Sequence, residues 1–183
     1  MLLVPAKRLN MMQFPVKKIT LLGLFICIGL LLGYLESFIV FPIAIPGIKI
    51  GLSNVITVLS LYLFGPAFAL TVLICRVLLS GLLFGSGISL LYSLSGAIVS
   101  YLGMILFKKL PYFSIYGISI LGGVLHNLAQ LFVAGLAVKI PYLLYYLPAL
   151  LISGVLAGLI VGIISNILVK RLTPIINKTF KGD

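Results

Sequence analysis

The side chains able to carry out chemistry in this chain are few, and most of them fall inside long apolar stretches. The sequence contains only two acidic residues, Glu36 and Asp183, and a single histidine, His126. Magnesium sites need several carboxylate oxygens, and acid–base hydrolysis needs a pair of titratable groups. The sequence also lacks a DDxxD run and a GxxxxGK[ST] phosphate-binding loop. It therefore predicts no metal site, no cofactor and no catalysis by this chain alone.

Arg76 is the most unusual polar residue, because it lies near the middle of an apolar stretch. Placing an arginine at the centre of a membrane span costs roughly 2.5 to 3.5 kcal/mol on insertion scales. Such a side chain is expected to face the interior of a helix bundle and to have a partner there. Two interpretations stay open, a structural contact that holds the bundle together and a binding site for an anion.

A second polar group stands in the run "GGVLHNLAQ". His126 and Gln130 are four residues apart and share one helical face, and Asn127 borders that face. Three polar side chains in one span are too many for contact with lipid. They predict either hydrogen bonds between helices or a face that lines a substrate pocket.

The run "PGIKIGLSN" places a lysine and an asparagine, Lys49 and Asn54, beside a helix-breaking segment. Pro42, Pro46 and Gly47 favour a loop there. Glu36 lies on its other side, so the segment predicts a loop over the mouth of the bundle. Lys49 belongs either to that loop's binding surface or to the membrane interface, where lysines extend their charge towards water.

Composition indicates what surrounds these residues. The 183-residue chain is 62% hydrophobic and 8% charged, whereas an ordinary soluble domain carries about 25% charged residues. A helix crosses the hydrocarbon core with about 20 apolar residues. The sequence therefore predicts an all-α integral membrane protein with one domain (1–183) and six spans, at about 19–39, 50–64, 67–84, 88–107, 114–137 and 147–169. The proline- and tyrosine-rich run 141–148 is predicted to lie at the membrane interface before the last span.

The distribution of basic residues predicts the orientation. The formal net charge is +11. With both termini cytoplasmic, ten of the 13 Lys and Arg residues fall on the cytoplasmic side and two outside, with Arg76 inside a span. A multi-pass protein of the cell membrane explains this charge better than nucleic-acid binding, since no basic stripe with interleaved aromatics is present.

Small residues recur at helical spacing and predict where helices meet. Gly154, Gly158 and Gly162 follow one another at four-residue intervals, and a second stripe contains serines and Gly96. Small residues allow close approach of helices in lipid. The pattern favours packing inside the bundle, with docking to another protein as the alternative.

Four blocks of sequence together resemble a known family. They are "IPGIKIGLSNVITVLSLYLFG" (45–65), "RVLLSGLLFG" (76–85), "LYSLSGAIVS" (91–100) and "GGVLHNLAQL" (122–131). They resemble the membrane proteins named heptaprenyl diphosphate synthase component I, or the Gx transporter family, which are similar to the S components of energy-coupling factor (ECF) transporters. The likeness covers about residues 18–170.

The resemblance implies a pocket that opens outward, closed by the loop after the first helix. Its predicted substrate-binding residues are Glu36, Lys49, Asn54, Arg76, Tyr92, His126, Asn127 and Gln130. It also implies two kinds of partner, a membrane scaffold subunit and two cytoplasmic ATPases. Docking in such systems often uses an AxxxA-like patch on the first helix, for which the candidates here are Gly23, Cys27, Gly29 and Gly33.

Three functions therefore follow as expectations. The first is an importer subunit that captures a small anionic or polar-headed molecule, such as a vitamin, a quinone precursor or an isoprenoid precursor. The second is a non-catalytic membrane partner of a heptaprenyl diphosphate synthase. The third is a purely structural membrane protein, in which Arg76, His126, Asn127 and Gln130 would pair with one another and leave no cavity between them.

Overall fold

The computed structural model describes residues 15–38, 50–138 and 145–181. Apart from turns, these residues are helical, which confirms the predicted all-α class. The six α-helices are α1 (Pro15–Ser37), α2 (Leu52–Leu63), α3 (Pro66–Phe84), α4 (Gly87–Lys108), α5 (Ile115–Val138) and α6 (Leu147–Lys181).

Five of these helices, all except α2, are long and apolar enough to cross a membrane. The six predicted stretches each contain a helix, but the second helix is not a full span. With 12 residues, α2 is about 18 Å long, whereas the hydrocarbon core is about 30 Å thick.

Protein rather than lipid covers α2. Eight of its 12 residues are buried, and it packs against α1, α3 and α6. Its polar residues Ser53, Asn54 and Thr57 accept hydrogen bonds from Arg76, and most of its apolar residues are buried. Because neighbouring helices bury most of its surface, α2 can be shorter than the thickness of the bilayer.

The helices form a closed ring in the order α1, α3, α4, α5, α6, α2. Helices that follow one another in the chain run antiparallel, whereas the ring neighbours α1 and α3, and likewise α2 and α6, run parallel. Along the α5–α6 contact, for example, Gly123 lies against Gly154 while Ser119 lies against Gly158. The ends of α1, α3 and α5 therefore meet the beginnings of α2, α4 and α6 at one end of the bundle, which we call the cavity end. The opposite end carries Lys17, Lys18, Lys108, Lys109, Lys170 and Arg171, and we call it the basic end.

The glycine stripe of α6 is an internal contact, as one of the two interpretations predicted. A Cβ atom at Gly158 would lie 2.5 Å from the carbonyl oxygen of Ser119, and one at Gly154 would lie 3.0 Å from that of Gly123. Only glycine allows the backbones of α5 and α6 to approach this closely.

Two boundaries differ from the predictions. α1 begins at Pro15 rather than near residue 19, since proline suits the first helical position. α6 continues to Lys181 rather than ending near 169. Basic residues indicate where a membrane ends, but they do not terminate a helix. Leu172 and Ile176 continue to pack against the core after that point.

The segment predicted to lie at the interface is only partly described. Residues 141–144 lie outside the described ranges, Tyr145 and Tyr146 form a short 3₁₀ turn, and Pro148 belongs to the first turn of α6. Proline is tolerated there because the first N–H groups of a helix have no intrahelical acceptor.

Candidate functional site

A cavity of about 790 Å³ lies at the cavity end of the bundle, and all six helices contribute to its lining. The structure brings together seven of the eight predicted substrate-binding residues around it: Glu36, Asn54, Arg76, Tyr92, His126, Asn127 and Gln130. The eighth, Lys49, lies outside the described residues, as does the predicted loop 42–49. A role for these residues in binding stays a prediction.

Arg76 extends from α3 to the first turns of α2. Its terminal nitrogens donate hydrogen bonds to the Ser53 hydroxyl at 2.8 Å, to the Asn54 side-chain oxygen at 3.2 Å and to Thr57 at 3.5 Å. The side chain is only 7% exposed, while its Nε makes no hydrogen bond to any described residue. These contacts favour the structural interpretation of Arg76, in which it joins α3 to α2.

The close approach of Arg76 to α1 depends on a glycine. A Cβ atom at Gly29 would lie 2.6 Å from Cδ of Arg76. Arg76 therefore crosses the interior directly beside the α1 backbone, so that a larger residue at position 29 would displace it.

Glu36 holds the beginning of α2 from the opposite side. Its carboxylate accepts a hydrogen bond from the backbone N–H of Gly51, and the residue is 6% exposed. Gly51 precedes α2 with a left-handed φ of 79°, which glycine adopts without steric cost. A carboxylate at a helix N-terminus is favourable because unpaired N–H groups give that end a partial positive charge.

Opposite charges thus meet at the first turn of α2. Glu36 attracts Arg76 electrostatically, and each also makes a hydrogen bond to α2. Because Glu36 bonds the residue before α2 and Arg76 bonds its first turns, we infer that the two together fix the position of α2.

The polar residues of α5 divide into two groups. The Asn127 amide donates hydrogen bonds to the Leu150 carbonyl at 2.8 Å and to the Ser153 hydroxyl at 3.1 Å, which connects α5 to the start of α6. His126 and Gln130 instead lie against Gly96 of α4, where a Cβ atom would be 2.9 Å from the histidine ring and 3.0 Å from the glutamine side chain.

Several uncharged polar groups of the cavity wall have no protein partner in the part of the chain that the structure describes. The Tyr92, Ser93 and Ser100 hydroxyls of α4 and the Gln130 amide of α5 all line the cavity, and no described residue makes a hydrogen bond to them. Polar groups in a protein interior are normally satisfied by protein, water or a ligand. We call these four residues the α4–α5 wall.

Apolar side chains complete the lining, among them Val58, Val77, Phe84, Leu131 and Val161. Ligand pockets typically have volumes of about 300–1,000 Å³ and combine apolar surface with a few convergent polar groups. Both the size and the lining of this cavity fit that description.

The described residues contain no group of three or more His, Cys, Asp or Glu side chains that could hold a metal ion. Within the lining, only Glu36 and His126 belong to these residue types. The site is thus built for hydrogen bonding and apolar contact.

The candidate docking residues of α1 separate into two pairs. Gly23 and Cys27 are exposed, with nothing within 4 Å of a Cβ atom at Gly23. Gly29 and Gly33 instead face Arg76 and Ser53 inside the bundle. The inward contacts of Gly29 and Gly33 agree with helix packing, and docking through the exposed Gly23 and Cys27 stays a prediction.

Sequence reasoning did not select Ser53, Gly51, Ser93 or Ser100 as site residues. Ser53 precedes Asn54, and Thr57 lies four residues further on, so the helical spacing of hydroxyl groups was an available signal. Ser93 and Ser100 belong to a stripe that was interpreted as helix packing alone. That stripe both contacts α5 and lines the cavity.

Comparison with known proteins gave one finding. A family model described as heptaprenyl diphosphate synthase component I matches residues 25–168, which is most of the chain and includes all six helices at least in part. Comparison with the curated proteins and with the solved structures gave no significant match.

Proposed function

The chain belongs to the heptaprenyl diphosphate synthase component I family, and we propose that it is a membrane subunit that binds a small polar-headed molecule in its cavity. The family description names a component of a synthase, and several long apolar helices indicate a multi-pass membrane protein. Neither fact specifies what this component does.

The cavity is the main observation that supports a binding function. Its volume of about 790 Å³ is bordered by residues of all six helices, and polar groups converge on it from α1 to α5. A purely structural protein has no need of such a space, since membrane helices pack most favourably without voids. The third expected function, a structural protein with its polar residues paired together, is therefore disfavoured.

In its specific form, the proposal assigns the chain the role of an S component of an ECF-type importer. The cavity end would then face outward, in agreement with the charge distribution, and the segment 42–49 would close over a captured substrate. A membrane scaffold subunit and two cytoplasmic ATPases would supply the energy for release inside. The exposed Gly23 and Cys27 of α1 are the remaining candidates for docking to the scaffold.

The family description favours a second candidate function, that of a membrane partner of heptaprenyl diphosphate synthase. With Glu36 and Asp183 as its only acids, the chain would leave Mg²⁺-dependent condensation to another subunit. The cavity would then hold a prenyl substrate or product beside that subunit.

Affinity purification from native membranes distinguishes the two candidates. The importer proposal predicts that the tagged chain retains a membrane scaffold protein and two ATPases. The synthase proposal predicts retention of a soluble protein with DDxxD motifs, together with prenyl-chain synthesis that is lost when this chain is removed. Recovery of the second set without the first would refute the importer proposal.

A further inference from the structure

We infer that the molecule bound in the cavity has an uncharged head group, recognised by the hydroxyl and amide groups of the α4–α5 wall rather than by Arg76. This inference rests on the proposed binding function and narrows the substrate class within it. Sequence reasoning alone favoured an anionic or polar-headed ligand, because Lys49, Arg76 and His126 outnumber Glu36.

The charges of the described lining cancel. Among Asp, Glu, Lys and Arg, the described lining contains only Glu36 and Arg76, one of each sign. Placing an anion in this cavity would bring a second negative charge next to Glu36 in surroundings of low dielectric. Such a charge is unfavourable unless a free positive group compensates for it.

The two positive features beside Glu36 already make hydrogen bonds within the protein. The terminal nitrogens of Arg76 already donate hydrogen bonds to three side chains of α2. The N-terminus of α2, which is otherwise suited to an anion, already donates the Gly51 N–H to the Glu36 carboxylate. Among the three guanidinium nitrogens of Arg76, Nε alone lacks a hydrogen bond to a described residue. Its single N–H cannot form the two parallel hydrogen bonds by which arginine binds a phosphate or carboxylate.

The hydroxyl and amide groups of the α4–α5 wall are uncharged, and no described residue makes a hydrogen bond to them. Tyr92, Ser93 and Ser100 offer hydroxyls that both donate and accept, and Gln130 offers an amide that does the same. Such a set suits an alcohol, a carbonyl or an amide. The apolar side chains Val77, Phe84 and Leu131 line the same space and suit a hydrocarbon body.

A pair of probes that differ only in head-group charge tests the inference. Farnesol and farnesyl phosphate carry the same apolar body, and their binding to the purified full chain in nanodiscs is measured by native mass spectrometry and by isothermal calorimetry. The variants are Tyr92→Phe and Gln130→Leu. The control is Tyr112→Phe, which alters a tyrosine that is 91% exposed and lies outside the cavity.

We expect farnesol to bind at least about tenfold more tightly than farnesyl phosphate. Each wall variant should weaken farnesol binding by about three- to tenfold, as expected for one neutral hydrogen bond, while Tyr112→Phe should bind like the wild type. Tighter binding of the phosphate, or wall variants that bind farnesol like the wild type, would overturn the inference but leave the binding function intact. If neither probe binds and the protein from native membranes carries no small molecule, the proposed function fails together with the inference.

Discussion

Arg76 lies where three helices meet, and its contacts explain how a central arginine is tolerated in an apolar span. Ser53, Asn54 and Thr57 of α2 accept its hydrogen bonds, Glu36 of α1 supplies the opposite charge and Gly29 leaves room for its methylene groups. At the residue scale, the polar side chains shared by α1, α2 and α3 thus form a network centred on the Arg76 guanidinium group.

Replacing Arg76 by alanine should therefore destabilise the fold. The substitution removes three hydrogen bonds and the positive charge that attracts the buried Glu36 carboxylate, and each lost hydrogen bond to a charged group typically costs about 1.5–3 kcal/mol. Because α2 then loses its anchor, ligand affinity should also fall about tenfold or more. Thermal unfolding in detergent, followed by circular dichroism, measures the first effect, and calorimetry measures the second.

A double variant provides the control for this interpretation. Adding Glu36→Gln to Arg76→Ala should cost much less than the sum of the two single changes, because each single change already breaks the same charge pair. Additive losses of stability would mean that Glu36 and Arg76 act independently.

Gly29 offers a second test of the same network. Gly29→Ala would place a methyl group 2.6 Å from Cδ of Arg76, so the arginine must shift away from α1. We expect a lower unfolding temperature. Gly23→Ala is the matched control on the same helix, because a Cβ atom there meets nothing within 4 Å. Equal effects of the two substitutions would contradict the proposed position of Arg76.

At the scale of elements, the contact between α5 and α6 depends on glycines at helical spacing. Gly158→Ala should push these helices apart and lower stability, since its Cβ would lie 2.5 Å and 2.6 Å from backbone atoms of α5. Gly135→Ala in α5 meets nothing within 4 Å and should be neutral or stabilising by up to about 1 kcal/mol. Thermal unfolding of both variants tests the difference, and a tolerated Gly158→Ala would contradict the close approach.

The sequence predicts the long helices well because hydrophobic length is a strong signal in a membrane protein. The predicted bounds 50–64 already make the second stretch short, but they do not show that neighbouring helices cover α2, since a buried helix and a membrane span have the same apolar composition. It also places the end of α6 too early, because membrane exit and helix termination are separate events.

The residues of the site, like the long helices, were largely predictable, whereas their contacts were not. Polar residues in apolar spans must find partners, and this reasoning brings Asn54, Arg76, His126 and Gln130 to one region. The partners themselves depend on helix rotation and depth, which the sequence does not specify. Small residues such as Gly29 and Gly33 suit either helix packing or docking, and only the rotation of the helix shows that they face inward.

On the scale of the whole molecule, the distribution of Lys and Arg predicts that the basic end faces the cytoplasm and the cavity end faces outward. Two exposed tyrosines mark these ends, Tyr112 between α4 and α5 and Tyr145 before α6. In a variant without Cys27 and Cys75, an impermeant thiol reagent should label Tyr145→Cys from outside intact cells and should label Tyr112→Cys only after permeabilisation. External labelling at position 112 or 108 would refute the predicted topology.

The central claim is that the cavity holds a small molecule, and native mass spectrometry of the protein purified from its own membranes tests it most directly. The variant Ala134→Trp places a bulky ring in the lining, while Phe132→Trp changes a neighbouring side chain that is 67% exposed and lies outside it. The account predicts a bound molecule in the wild type and in Phe132→Trp, and its absence from folded Ala134→Trp. Equal occupancy in Ala134→Trp, or a wild type that carries no molecule and binds neither farnesol nor farnesyl phosphate, would contradict it.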